Sequence, residues 1–253
     1  MNIADKIVIV TGAGSGLGAA TARLLAKGSA QVAVLDLHAD TAQEVASFAP
    51  DRMLPVQVDV ADEASVEAAF TKVLERFGSV HGCVSAAGVA TAGKTVSRGL
   101  ALDMARFKSV IDVNLNGLFD VVRRCALAMS GNEPDEHGER GVIVNVSSGA
   151  AWQGQRGQAA YAASKAGVIG MMLPIARDLA PYGIRVVTVA PGLFRTGMSG
   201  SFTPDLVAEL EDQVLFPKRM GTPEEFAEFT LELFQNRYLN AATYQIDAGA
   251  RMV

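Results

Sequence analysis

Short, continuously apolar segments alternate with helical patterns along the whole chain, and that alternation predicts an α/β protein built on a parallel sheet. The connections are short enough for direct β-α-β crossovers and little else. Composition agrees: the 253 residues are 49% hydrophobic and 19% charged, which suits a large core covered on both sides. The expectation is a single-domain, doubly wound parallel sheet over residues 1–253, with seven strands and helices on both faces.

In order, the first strand is "KIVIVTG" (6–12), leading into a helix at Gly18–Lys27. "QVAVLDL" (31–37) precedes a helix over Ala39–Phe48, and "MLPVQVDV" (53–60) one over Glu63–Phe77. "HGCVSAAG" (81–88) precedes the longest helical pattern, Asp103–Met129. "GVIVNVSS" (141–148), "IRVVTVAPG" (184–192) and "TYQID" (243–247) complete the strands, with helices over Tyr161–Ala180 and Pro223–Phe234. Most strands are continuously apolar rather than alternating, as strands covered on both faces are. Pro174 lies inside a helical segment and predicts a kink or local strain. Residues 130–141, "SGNEPDEHGERG", are polar and turn-rich and read as a surface loop. Residues 192–217 mix glycines with a short amphipathic helix beyond a strand's carboxyl end. Ligands bind there in such sheets, so this segment reads as a substrate lid.

A net charge of −5 without any lysine–arginine cluster speaks against nucleic acid or an anionic membrane surface as a partner. Cys83 and Cys125 lie in apolar segments, which predicts buried, reduced thiols in a cytoplasmic protein. His38, His81 and His137 lack the spacing of a metal site, and no metal is expected. "MNIADKIVIVTG" enters a strand almost at once, leaving no room for a targeting peptide. No apolar run reaches the roughly 18 residues of a membrane span.

Between strand one and helix one stands Thr11-Gly12-Ala13-Gly14-Ser15-Gly16-Leu17-Gly18. Glycines there turn the backbone tightly, let it approach a pyrophosphate, and aim helix N-terminal N–H groups at the anion. An acidic residue after strand two strengthens the reading, and Asp36 lies 18 positions beyond Gly18. Its carboxylate would accept from the adenosine ribose hydroxyls and repel a 2′-phosphate, which favours NAD over NADP.

In "GQAAYAASKAGVIG" (157–170), Tyr161 and Lys165 are four positions apart and share a helix face. A tyrosine acting as base near neutral pH needs its pKa lowered by ~3 units, about 4 kcal/mol. A positive charge ~4 Å away at an effective dielectric of ~20 supplies that much. Lys165 is spaced to be that charge. Ser148, thirteen positions before Tyr161 at the end of strand five, would donate to a substrate oxygen.

The T-G-x-x-x-G-x-G spacing, Ser148, Tyr161 and Lys165 together resemble the short-chain dehydrogenase/reductase family, with its Rossmann fold, over essentially the whole chain. The resemblance implies an NAD-dependent enzyme that interconverts a secondary alcohol and a ketone. It implies Ser148, Tyr161, Lys165 and Asn114 as catalytic residues, Asn114 (in "DVNLNG") holding a water that relays the proton. The cofactor set it implies is Gly12, Ser15, Gly16, Leu17, Gly18, Asp36, Asp59, Val60, Ala86, Gly88, Tyr161, Lys165, Phe194 and Thr196. Asp59 and Val60 would hold the adenine; backbone at Phe194, with Thr196, the nicotinamide carboxamide. One departure stands out: Ser85-Ala86-Ala87-Gly88 replaces the usual N-A-A-G, with Ser85 expected to bond backbone in the asparagine's place.

Within the family, residues 129–253 resemble the type-2 3-hydroxyacyl-CoA dehydrogenases, which also act on hydroxysteroids. The substrate this implies is the 3-hydroxyl of a short acyl-CoA, and the assembly a homotetramer on the helices at 103–129 and 152–180 and the last helix and strand. Leu193, Phe194, Met198, Phe202 and Leu215 would enclose the acyl group, while Lys94, Arg98, Arg195, Lys218 and Arg219 are candidate partners for CoA phosphates. The alternatives are a general secondary-alcohol or hydroxysteroid dehydrogenase and, from another class, a non-catalytic dinucleotide-binding module.

Overall fold

The computed structural model describes residues 1–196 and 203–251. Its strands are β1 (Ile7–Thr11), β2 (Gln31–Asp36), β3 (Met53–Gln57), β4 (Gly82–Ser85), β5 (Val96–Ser97), β6 (Leu100–Ala101), β7 (Gly141–Val146), β8 (Ile184–Pro191) and β9 (Thr243–Ile246). Seven of them form one parallel sheet in the order β3-β2-β1-β4-β7-β8-β9, and β5 and β6 form a separate antiparallel hairpin. The seven predicted strands are all present. Each ends earlier than its apolar run suggested, four by one residue and three by two or more, because residues 58–60, 86–88 and 147–148 leave the ladder. The small hairpin was not predicted.

The helices are α1 (Gly16–Lys27), α2 (Ala39–Ala46), α3 (Glu63–Phe77), α4 (Met104–Ile111), α5 (Leu118–Ser130), α6 (Ala150–Gln153), α7 (Ala159–Leu179), α8 (Pro204–Asp212) and α9 (Pro223–Gln235). Local signals set several boundaries. Asp62 caps α3 by accepting from the Ala64 N–H, and Gly78 ends it in the left-handed conformation. Thr222 and Glu225 form a capping box at the start of α9, with Pro223 in the first turn.

Alternate strand residues feed two cores. Val8, Val10, Val32 and Val144 pack with Leu25 of α1 and Phe226, Leu233 and Phe234 of α9. Ile9, Leu35, Cys83, Ile143 and Val186 pack on the other face with Val73, Cys125, Met129 and Val168. Each such side chain contributes roughly 1.5–3 kcal/mol by leaving water. On the second face one transverse row is polar: Thr11, Ser85, Asn145, Thr188 and Thr243 are register neighbours on successive strands. Ser85 does not bond backbone as expected; its hydroxyl contacts the Cys83 sulfur at 3.4 Å. Asn145 beside it is fully buried, and neither atom of its amide has a hydrogen-bond partner.

Two expectations need correction. The helical pattern at 103–129 is interrupted by a π-helical stretch, Asp112–Gly117, between α4 and α5. The helical segment Ala159–Tyr182 does have the length and hydropathy of a membrane span (mean hydropathy 1.3), with only a third of that window buried. α7 packs one side on β8 while carrying apolar residues outward as well, so apolarity surrounds it. It runs unbroken through Pro174.

Candidate active site

From β1 the chain winds outward to β2 and β3, then crosses back to β4 on the other side of β1. Loops leaving the carboxyl ends of β1 and β4 therefore part and open a cleft at this switch point. Its volume is about 300 Å³. Gly12 turns into it with φ +63°, and a Cβ there would lie 2.8 Å from Ala87 Cα. A Cβ on Gly18 would lie 2.3 Å from the Gly12 carbonyl oxygen. The loop, α1 and the β4 loop are thus in backbone contact that any side chain would break.

Ser15 stands at the N-cap of α1 in extended conformation, makes no side-chain cap bond, and is followed by a first turn without acids. The positive end of α1 is left for an anion. Asp36, at the end of β2, accepts from Gly14 N at 2.9 Å and His38 N at 3.0 Å, which fixes its carboxylate on the cleft wall. Gly16, Leu17, Asp59, Val60, Ala86, Gly88 and Thr196 line the same cleft. Anion-ready helix end, ribose-height carboxylate and glycine cradle together fit a nicotinamide dinucleotide. Phe194 differs from the rest: it forms a β-bridge to Gly221, and its ring meets Phe226 edge-on at 6.1 Å, on the first core. It is not among the residues that line the cleft.

Ser148 follows β7; its Oγ accepts from Ala150 N at 3.2 Å and lies near the Tyr161 phenol of α7. Lys165, one turn on, is 4% exposed. Its Nζ donates to the Val146 carbonyl at 2.9 Å and sits 5.8 Å from the Tyr161 ring centre. Burial lowers the lysine to about 8. The phenol goes the other way from the expected lowering: burial raises the Tyr161 pKa, and the nearby Ser148 hydroxyl only partly offsets it. The ammonium donates to the Val146 carbonyl and lies over the face of the ring, and no effect of its charge lowers the phenol.

Asn114, in the π-helical turn, is fully buried. Its Nδ2 donates to Val89 O (2.9 Å) and Ser164 Oγ (3.1 Å), and its Oδ1 accepts from Val89 N (2.8 Å). Both amide donors are therefore committed, leaving only the second lone pair of Oδ1 for a relay water. Ser164 in turn donates to the Tyr161 carbonyl at 2.7 Å, and Ser147 Oγ to the Lys165 carbonyl at 2.8 Å. Sequence reasoning missed these two clamps. Their signal was faint: two serines at positions that had to be buried.

The lid residues are placed differently from expectation. Phe194 packs on the core rather than around a substrate, and Leu215 lies over Gly249 with most of its surface exposed. Met198 and Phe202 lie outside the described residues. Three of the five cations proposed for CoA already face carboxylates: Arg195 meets Glu211 at 3.1 Å, Arg219 meets Glu225 at 2.7 Å, and Lys218 lies 3.7 Å from Asp212. Lys94 and Arg98, on and beside the β5–β6 hairpin, form no ion pair among the described residues.

Cleft and side-chain cluster define a dinucleotide-dependent oxidoreductase. Residues 6–206 match the family model for short chain dehydrogenase. The chain is 44% identical to 3-hydroxyacyl-CoA dehydrogenase type-2 of Drosophila melanogaster over 253 residues, 99% of each chain. It is 43% identical to the Homo sapiens protein of that name, over 99% of this chain and 97% of the other. A crystal structure of 3-hydroxyacyl-CoA dehydrogenase type-2 from Mycobacterium avium superposes with a TM-score of 0.93 at 38% identity, covering 98% of this chain and 96% of the other. The chain belongs to the short-chain dehydrogenase family.

Proposed function

We propose that the protein is an NAD-dependent dehydrogenase interconverting a 3-hydroxyacyl-CoA and the 3-oxoacyl-CoA. The observation that carries the chemistry is the cluster of Ser148, Tyr161 and Lys165 beside the cleft, with Lys165 reaching Gly88 and Val146 of its lining. The relatives' activity supports the acyl-CoA substrate, and Asp36 on the cleft wall supports NAD over NADP, since a 2′-phosphate there would meet like charge.

When bound, the nicotinamide supplies the hydride acceptor and, oxidised, a positive charge. Tyr161 takes the hydroxyl proton as the C–H bond gives up its hydride, and Ser148 donates a hydrogen bond to the substrate oxygen. Lys165 holds the ammonium under the phenol ring and, with Asn114 and Gly88, closes the floor of the site. A Cβ on Gly88 would lie 3.2 Å from Asn114 Oδ1 and 3.5 Å from Lys165 Nζ. Lys94 and Arg98 are the cations left for CoA phosphates. Buried free Cys83 and Cys125 support a reducing, cytoplasmic setting. Exposed Phe119 and Leu127 on α5 and Leu173 on α7 support a homotetramer on those helices.

The test compares acetoacetyl-CoA with a simple acetoacetate ester, using NADH at low and high salt. The expected result is a higher kcat/KM for the CoA substrate that declines with salt. Equal rates without salt dependence would replace the acyl-CoA reading by a general secondary-alcohol dehydrogenase.

A further inference from the structure

Helix α8 poses a question of its own. It is a nine-residue helix, and none of its residues is buried. So short a helix does not hold together in water without outside contacts, and apolar packing does not provide them here. Its composition adds to the difficulty: Glu209, Glu211 and Asp212 crowd the carboxyl end, where the helix dipole disfavours negative charge, and the last turn carries no basic residue.

What ties it down is Glu211. One oxygen of that carboxylate accepts from Arg195 Nη2 at 3.1 Å and from the Met220 N–H at 3.1 Å. Arg195 lies on the chain leaving the sheet after β8, and Met220 on the chain returning toward α9. A single side chain therefore bridges both stems of the excursion to the helix between them. The stems also pair directly: Arg195 N donates to Gly221 O and Gly221 N to Leu193 O, both at 2.9 Å. That pairing needs Gly221, since a Cβ there would lie 2.6 Å from the Phe194 ring. Thr196, next along, rests against Gly16 at the start of α1, within 3.3 Å of where a Cβ would be. These hydrogen bonds hold the Glu211 carboxyl below the usual carboxylate range, so it stays ionised at neutral pH.

We propose that Glu211 is a positioning residue that clasps the two stems of residues 193–221 and thereby sets Thr196 against the glycine loop, tightening dinucleotide binding. The consequence for the cofactor rests on the dinucleotide reading above; the clasp itself does not. The proposal adds a role to a residue that touches neither ligand nor reacting atoms.

The experiment uses the whole protein and the variants Glu211→Ala and Glu211→Gln. Amide exchange without ligand reads the clasp: in Glu211→Ala the Arg195 and Gly221 N–H groups, whose own acceptors are backbone carbonyls, exchange at least about tenfold faster. Fluorescence titration with NADH reads the consequence: Kd rises about tenfold in the alanine variant. The glutamine variant, which keeps an acceptor oxygen, stays within about threefold. Tm is unchanged in both, because no residue of α8 is buried in either core. Unchanged exchange at Arg195 and Gly221 overturns the clasp, as does a fall in Tm parallel to the rise in Kd. Unmodified protein that fails to bind NADH overturns the dinucleotide reading alone, and the exchange data still decide the clasp.

Discussion

The two walls of the cleft are made differently. On one side Gly12, Gly18 and Ala87 are wedged backbone to backbone, with strands β1 and β4 behind them in both cores. On the other, the stem at 192–196, whose Thr196 lines the cleft, is held by a β-bridge, two aromatic rings and an ion pair to helix α8, a helix with no buried residue. Packed backbone has few alternative arrangements; partly exposed ion pairs have many and contribute little each. The first wall suits the part of a ligand set that never varies, the dinucleotide. The second suits the part that differs between substrates.

The largest expected effect lies where the walls meet. Tyr161→Phe keeps the ring and removes the proton acceptor, and is expected to cut turnover by at least about a thousandfold while NADH Kd changes less than threefold. More than a tenth of the activity surviving would identify another base. Because burial raises the phenol's pKa, oxidation needs the minority, deprotonated form: its kcat/KM should climb with pH through the neutral and alkaline range, and that of ketone reduction should decline.

Next comes the packed wall. Gly12→Ala forces a Cβ against the backbone of Ala87 at 2.8 Å in a left-handed conformation. NADH binding should be lost in titration, with Tm lowered by about 5 °C or more. An alanine variant that binds NADH normally would mean this wall is as adaptable as the other. Asp36→Ala keeps the glycines and removes the wall's charge, together with the acceptor of the Gly14 and His38 N–H groups. The unmodified protein is expected to prefer NAD⁺ over NADP⁺ by about a hundredfold in kcat/KM, ~2.7 kcal/mol, and the variant by less than tenfold.

The smallest effect concerns Lys165, beneath both walls. Its folded pKa is lowered to about 8 from an ordinary value of 10.5, so between those limits the unfolded chain binds a proton that the folded protein does not. Stability should therefore rise as pH increases from about 8, with the penalty fully present below that, until tyrosine ionisation enters near 10. In Lys165→Met the rise between pH 8 and 10 should vanish in denaturant titrations.

This contrast also explains what could be read from the residues. The demands of the first wall fall on the backbone, and glycine is almost alone in meeting them, so Gly12, Gly16, Gly18 and the order of strands were visible in the chain. Asp36 was visible because its place after β2 follows from that order. The stem is another matter: Glu211 meets Arg195 and Met220 only once the fold has returned the chain, and nothing in "VAELEDQ" says which acid is bonded. The π-helical turn was hidden because its apolar spacing continues the helical pattern on both sides. The polarity of the Tyr161 shift was missed because spacing places Lys165 near the ring without saying where its ammonium points.

Helix α7 has a consequence for how the protein is made. The first four parallel strands, β3-β2-β1-β4, come from residues 7–85, so half the sheet is available early in synthesis. Residues 159–182 then emerge as the most membrane-like stretch of the chain, before β8, one of the strands they pack on, has been translated. During that interval the part of the inward face that packs on β8 is uncovered too, although α4, α6 and β7 are already made, and at about 5–20 residues per second it lasts for seconds. Chaperone capture of the growing chain should be most frequent there, and slowing translation just after residue 182 should lower the yield of soluble protein more than slowing it after residue 85.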